Sequence, residues 1–157
     1  MQRKVMFPNI SDFVPLNNGA SARSVKSFRK PTILVAEDNV DSREMMCTLL
    51  TMKGYEVFAA GDGVDAVEVA LRTLPDLIFV DLQLPKLDGL GVARNLRLYP
   101  KLKTTPIVIL SGYDPAKYRQ AAMDAGCNDY LLKPVDFDQL EELLYAIVPF
   151  RYGAARA

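Results

Sequence analysis

Asp76-Leu77-Ile78-Phe79-Val80-Asp81 is an apolar run with a carboxylate at each end. Its four central residues show no polar alternation, which suits a strand covered on both faces. Asp81 then follows a buried strand directly, and a carboxylate there is costly without a compensating partner. Two other segments repeat the arrangement. Thr32-Ile33-Leu34-Val35-Ala36 leads into Glu37-Asp38, and Asp129-Tyr130-Leu131-Leu132 leads into Lys133-Pro134. In an open α/β sheet the carboxyl ends of parallel strands share one edge, where ligands bind. Three carboxylates and one ammonium are therefore expected to meet.

Outward from this run, strand and helix patterns alternate. From Val40 to Lys53, Met45, Met46, Leu49 and Leu50 recur at helical spacing, and Gly54 ends the helix. Glu56 to Ala60 reads as a second strand. Gly61-Asp62-Gly63 turns into a helix carrying Ala66, Val67, Ala70 and Leu71, which Pro75 stops. Leu82 to Gly91 is a loop that runs into a helix near Leu90–Leu98, and Thr105 to Leu110 is a fourth strand. Ala116 to Ala125 is helical and closed by Gly126. Asp129 to Leu132 is the fifth strand. Asp136 is the expected N-cap of a last helix reaching about Val148, with Leu140, Leu143, Leu144 and Ile147 inward. Apolar strands joined by helices imply an α/β domain, a doubly wound parallel sheet with helices on both faces.

The chain has 157 residues, enough for one domain with a real core. Lys plus Arg and Asp plus Glu both number 19, so net charge favours neither a nucleic-acid nor a membrane partner. The balance hides an asymmetry: residues 1–30 hold Arg3, Lys4, Arg23, Lys26, Arg29 and Lys30 against Asp12 alone. We expect a flexible basic arm over 1–30, a domain over 31–150 beginning at Pro31, and a short tail over 151–157. The arm reads either as a solubilising extension or as a contact for an acidic partner, lipid or nucleic acid. Its Phe7, Phe13 and Phe28 could dock on the domain or on a partner. Cys47 and Cys127 do not look like a disulfide framework and are expected as buried free thiols. No apolar run reaches the roughly 18 residues of a membrane span, and the amino terminus lacks a signal-peptide stretch. The expectation is a reduced, cytoplasmic protein with no transmembrane segment.

Glu37, Asp38 and Asp81 would repel one another at a shared edge unless a cation is supplied. Mg²⁺ (or Mn²⁺) suits oxygen ligands and often takes a phosphate as a further ligand. Asp38 and Asp81 are the direct ligand candidates, with Glu37 acting through water. Lys133 brings a point charge suited to a phosphoryl oxygen, and Ser111 a hydroxyl from another side. Phosphoryl transfer requires mainly such positioning and charge compensation. Asp81 is then the nucleophile, forming an acyl phosphate. Each residue alone has a plainer reading. Glu37 and Asp38 could be carboxylates at a helix N-terminus, Asp81 a loop acid, Lys133 a surface lysine and Ser111 a turn residue. Their joint order along the chain favours the site.

These residues resemble the receiver domain of two-component response regulators over about residues 31–150. Ile33 to Asn39 is similar to the family's acidic-pair motif. Asp76 to Gly89, with Leu84-Pro85 and Asp88-Gly89, is similar to its phosphoacceptor segment. Leu110-Ser111-Gly112 stands at its hydroxyl position, and Ala125 to Pro134 resembles its lysine-proline signature. The resemblance implies a flavodoxin-like five-stranded sheet in the order 2-1-3-4-5. It implies that Asp81 accepts phosphate from a histidine kinase or a histidine phosphotransfer protein. It also implies that the carbonyl of Gln83 joins Asp38 and Asp81 around Mg²⁺, and that Ser111 and Tyr130 form the switch. A cis bond at Lys133-Pro134 is expected, and the readout face would be the fourth helix, fifth strand and fifth helix. Gln83 and Tyr113 stand where the family tunes dephosphorylation. Tyr113 is either a shield over the acyl phosphate or a surface aromatic.

No DNA-binding or other effector segment is legible after the last helix, so the expected protein is a stand-alone regulator. It would act on an unidentified downstream protein or pass its phosphate onward. The alternative is a constitutive adaptor with a receiver fold that needs no phosphorylation. A turnover hydrolase is the third reading. It is disfavoured because the chain has no histidine and no further acid close after Asp81. The activity expected is therefore not conventional turnover but assistance to the protein's own Mg²⁺-dependent phosphorylation and dephosphorylation.

Overall fold

The computed structural model describes residues 29–148. The expected tail and almost all of the expected arm, including Phe7, Phe13 and Phe28, lie outside the described residues. Five strands, β1 (Thr32–Ala36), β2 (Glu56–Ala60), β3 (Leu77–Asp81), β4 (Ile107–Ser111) and β5 (Asp129–Leu132), form one sheet in the order β2-β1-β3-β4-β5. All neighbours are parallel. Between and after them run α1 (Val40–Met52), α2 (Gly63–Thr73), α3 (Gly89–Arg97), α4 (Pro115–Asp124) and α5 (Phe137–Ile147). This is the flavodoxin-like arrangement.

Strand side chains alternate between faces, so each central strand feeds two cores. Ile33, Val35, Phe79 and Leu110 pack with Met46 and Leu50 of α1 and Leu140 and Leu144 of α5. Leu34, Ile78, Val80 and Ile109 pack with Ala66 of α2, Val92 and Leu96 of α3 and Ala122 of α4. β1, β3 and β4 are buried throughout, as unbroken apolar runs should be, whereas β2 at the sheet edge is half open. Helix starts carry side-chain caps. Asn39 accepts from Ser42 N, Asp62 from Asp65 N, Asp88 from Gly91 N, and Asp136, as expected, from Gln139 N.

Several expectations need correction. Met45 is 60% exposed, because Met46 and Leu50 face the sheet and Met45, one residue before Met46, lies about 100° round the helix. On α2, Val69 is buried, while Leu71 is exposed. Cys47 is only half-buried; Cys127 is buried. Asp81 and Ser111 end their strands instead of following them. A 3₁₀ turn at Pro100–Leu102, with Leu102 buried, has no counterpart in the periodicity reading. Arg29, counted with the arm, forms a bidentate pair with Asp76, which also accepts from Thr32 N at 2.8 Å. The Lys133-Pro134 bond is cis, as the resemblance implied. Among the described residues no helix is long and apolar enough to cross a membrane.

Candidate functional site

The register aligns Ala36 with Val80, Asp81 with Leu110, and Ser111 with Leu132, so the segments leaving β1, β3, β4 and β5 emerge along one edge. There Glu37, Asp38 and Asp81 each offer a carboxylate oxygen, all within 4.8 Å of one another. Lys133 reaches in from the end of β5. Its Nζ donates to Asp81 Oδ2 at 2.6 Å and to Glu37 Oε2 at 2.5 Å. Four residues from three distant segments of the chain are thus brought into one cluster.

The backbone holds the carboxylates in place. Asn39 N donates to Glu37 Oε1 at 3.1 Å, and Gln83 N donates to Asp81 Oδ1 at 2.9 Å. Arg43, from the first turn of α1, donates to the Glu37 carbonyl at 2.8 Å. α3 starts tight against the end of β3. A Cβ at Gly89 would stand 2.4 Å from the Asp81 carbonyl oxygen, so glycine is required for this close approach.

Burial pushes the Glu37 carboxyl above its ordinary range, against the lowering effect of the Lys133 and Asn39 bonds. For Lys133, burial alone would lower the ammonium's pKa, but its bonds to Asp81 and Glu37 outweigh this and leave it raised. Asp38 is exposed, and among the described residues its carboxylate makes no side-chain hydrogen bond. One ammonium thus pairs with two of the three carboxylates. An all-oxygen, hard donor set with surplus negative charge fits a small divalent cation such as Mg²⁺.

Ser111 lies one strand over, and its Oγ accepts from Tyr113 N at 3.0 Å. Tyr113 ties three segments together. Its hydroxyl accepts from Gln83 Nε2 at 2.5 Å, and its carbonyl accepts from the Tyr130 hydroxyl at 2.9 Å. Its ring lies 5.2 Å from that of Tyr118 on α4. Tyr130 is buried, and its hydroxyl bond ties it to Tyr113. The sequence reading missed Arg43 and Asn39 as supports of the acidic pair. Asn39 carried a readable signal, a capping residue just before a helical pattern. Arg43 carried none, since its target is a backbone carbonyl.

Similarity to known proteins agrees with this geometry. The chain belongs to the response regulator receiver domain family, which it matches over residues 33–145. It is 42% identical over 115 residues to the response regulator MprA of Mycobacterium leprae, a match covering 73% of this chain and 48% of that protein. The chain spans about half the length of the curated relatives it matches. Among solved structures it resembles the chemotaxis protein CheY4 of Vibrio cholerae, with a TM-score of 0.72 and 27% identity over 76% of this chain and all of that one. It also resembles the receiver domain of the sensor histidine kinase PA1611 of Pseudomonas aeruginosa, with magnesium coordinated in its active site cleft (TM-score 0.70, 33% identity, 76% of this chain and 98% of that one). A third is the receiver domain of Ssk1 of Saccharomyces cerevisiae, solved with the histidine phosphotransfer protein Ypd1 (TM-score 0.70, 30% identity, 78% of this chain and 91% of that chain).

Proposed function

We propose that Asp81 accepts a phosphoryl group from a phosphohistidine donor and that the resulting change at the surface formed by α4, β5 and α5 is the signal. The observation that carries this reading is the cluster of three carboxylates, two of them paired with Lys133 and the third, Asp38, open to solvent. A carboxylate oxygen of Asp81 attacks phosphorus. The P–N bond to the donor imidazole breaks as the P–O bond of an acyl phosphate forms, and the imidazole takes up a proton as it leaves. Lys133 lies within reach of the new phosphoryl oxygens and compensates their charge. Gln83 N and Lys133 Nζ orient the attacking carboxylate.

Asp38 and Asp81 would hold Mg²⁺ directly, with the Gln83 carbonyl as a further ligand and Glu37 acting through water. The cation would supply positive charge to the phosphoryl oxygens. The magnesium in the PA1611 cleft supports this assignment. The Ssk1–Ypd1 complex supports a histidine kinase or phosphotransfer protein as donor. Ser111 and Tyr130 then form the switch. The Ser111 hydroxyl turns to the phosphoryl group, releases Tyr113 N, and disturbs the Tyr113 carbonyl that anchors Tyr130. The protein assists its own phosphorylation and dephosphorylation and turns over no external substrate. The reading includes a cytoplasmic setting and a downstream partner that recognises the phosphorylated face, or onward transfer of the phosphate.

The test is incubation of the full chain with a small acyl-phosphate donor and Mg²⁺, followed by intact-mass measurement. One phosphoryl group is expected, and Asp81→Asn should abolish the gain. Equal modification of the variant would refute the assignment.

A further inference from the structure

Helices α1 and α5 cover the same face of the sheet, and a groove runs along the outside of α1 towards the start of α5. Met45, Leu49 and Met52 of α1 and Phe137 of α5 line it, with Asp41 and Glu44 beside them. Met45, Met52 and Phe137 are 60%, 81% and 56% exposed. Three large apolar side chains left open together form a patch suited to a partner, and methionines make such a patch adaptable. Its charge is one-sided. Arg43 is turned to the Glu37 and Asp38 carbonyls, and among the described residues neither Asp41 nor Glu44 has a salt-bridge partner.

We propose that the groove is the docking site for this chain's own residues 1–16, bound intramolecularly. That segment has the matching chemistry: Arg3 and Lys4 for the two carboxylates, and Val5-Met6-Phe7, Ile10 and Phe13-Val14 for the apolar walls. The path of the chain supports the assignment. Arg29 is clamped on Asp76, and the Pro31 carbonyl accepts from Glu56 N at 3.0 Å. Glu56 stands four residues beyond Met52, the last residue of α1. The chain therefore joins the domain close to one end of the groove. α1 has 13 residues and is about 20 Å long, a distance that about six extended residues cover. The 28 residues before Arg29 exceed this several times over. Covalent attachment through such a tether holds the segment near the groove at an effective concentration on the order of millimolar, so weak apolar contacts suffice.

The other end of the groove lies beside the carboxylate edge. Asp41 is three residues after Asp38, and Phe137 four after Lys133. A docked segment would stand next to the path by which a phosphodonor reaches Asp81. The docking itself does not depend on phosphorylation.

The test uses the full chain with ¹³C-methyl methionine. Wild type is compared with a variant carrying R3E, K4E, F7S and F13S, all in the proposed docking segment. The Met45 and Met52 methyl signals should shift in the variant, and their contacts with the Phe7 and Phe13 rings should be lost. Met123, on the opposite face with α4, should stay put. Sulfoxidation of Met45 and Met52 by dilute peroxide should become several-fold faster. Glu44→Lys should produce part of the same shift, and its combination with Lys4→Glu should restore the wild-type position. Unmoved Met45 and Met52 signals would overturn the proposal. A wild-type pattern that vanishes on dilution would overturn it in favour of a second copy as occupant.

Discussion

Asp38→Asn is expected to stabilise the metal-free protein and to remove most of its stabilisation by magnesium. The substitution deletes one of three carboxylates whose oxygens lie within 4.8 Å of one another. Two unit charges at that separation repel by about 0.9 kcal/mol in water, and by more where the effective dielectric is lower. Asp38 faces two such neighbours, Glu37 and Asp81, while Lys133 offsets part of the repulsion. The net gain is about 1 kcal/mol, and no side-chain hydrogen bond is lost with it. For a domain of this size that raises Tm by about 4–6 °C. Thermal unfolding followed by far-UV circular dichroism, at neutral pH and low salt with a chelator, reads this directly. Magnesium at ten times its Kd should then add about 1.4 kcal/mol to the wild type, and much less to the variant, which lacks the proposed Asp38 ligand. The gap between the two proteins should narrow or invert. Raising the salt concentration should shrink the chelator-side gap, because Asp38 is exposed and screened. A variant that melts below wild type in chelator would refute the reasoning, since it would mean that the protein's own groups already balance the Asp38 charge.

Lys133→Met leaves the Glu37 and Asp81 carboxylates without their cation. Breaking a fully buried pair costs about 3–5 kcal/mol. The Lys133 side chain is 30% exposed, so a loss of about 1–3 kcal/mol is expected, measured by urea unfolding. Glu37 is already raised by burial and is held back by Lys133, so its removal raises that carboxyl further. A raised carboxyl leaves stability intact at low pH and erodes it as pH climbs through the folded value. The deficit should therefore be smaller at about pH 4 than at about pH 7, and an equal deficit at both would contradict the assignment. Gly89→Ala should cost about 1–3 kcal/mol, because the new Cβ meets the Asp81 carbonyl. It should also slow phosphorylation by displacing the backbone at Asp81, the proposed phosphoacceptor, and wild-type behaviour in both assays would rule out the tight approach. Tyr130→Phe removes the bond to the Tyr113 carbonyl and should lower stability by about 1 kcal/mol. Its main effect should be on phosphate-dependent partner binding, and unchanged binding would exclude Tyr130 from the switch.

Much of this architecture follows from local patterns. The apolar runs 33–36, 77–80 and 107–110 are each buried, because a strand covered on both faces has no position for a polar side chain. Parallel order follows from the helices between them, and the shared edge follows from parallel order. Glu37, Asp38, Asp81 and Lys133 were therefore readable as one cluster before any distance was known. Asp136 was likewise readable as the cap of its helix, and the structure adds Asp62 and Asp88 as caps of theirs.

Other features depend on contacts that no local pattern contains. Met45 and Met46 are equally apolar neighbours, and only the rotation of α1 on the sheet sends one outward to the groove and the other into the core. Arg29 meets Asp76 across 47 residues, and Gln83 meets Tyr113 across 30. Periodicity and the chemistry of strand ends reside in short stretches of chain, so the amino-acid sequence alone determined the sheet, its carboxyl edge and the acids upon it. Which side chain holds which, whether Tyr130 lies inward, and where the apolar groove opens were decided only by register and helix rotation. Both are collective properties of the packed molecule, because each depends on every element that touches it.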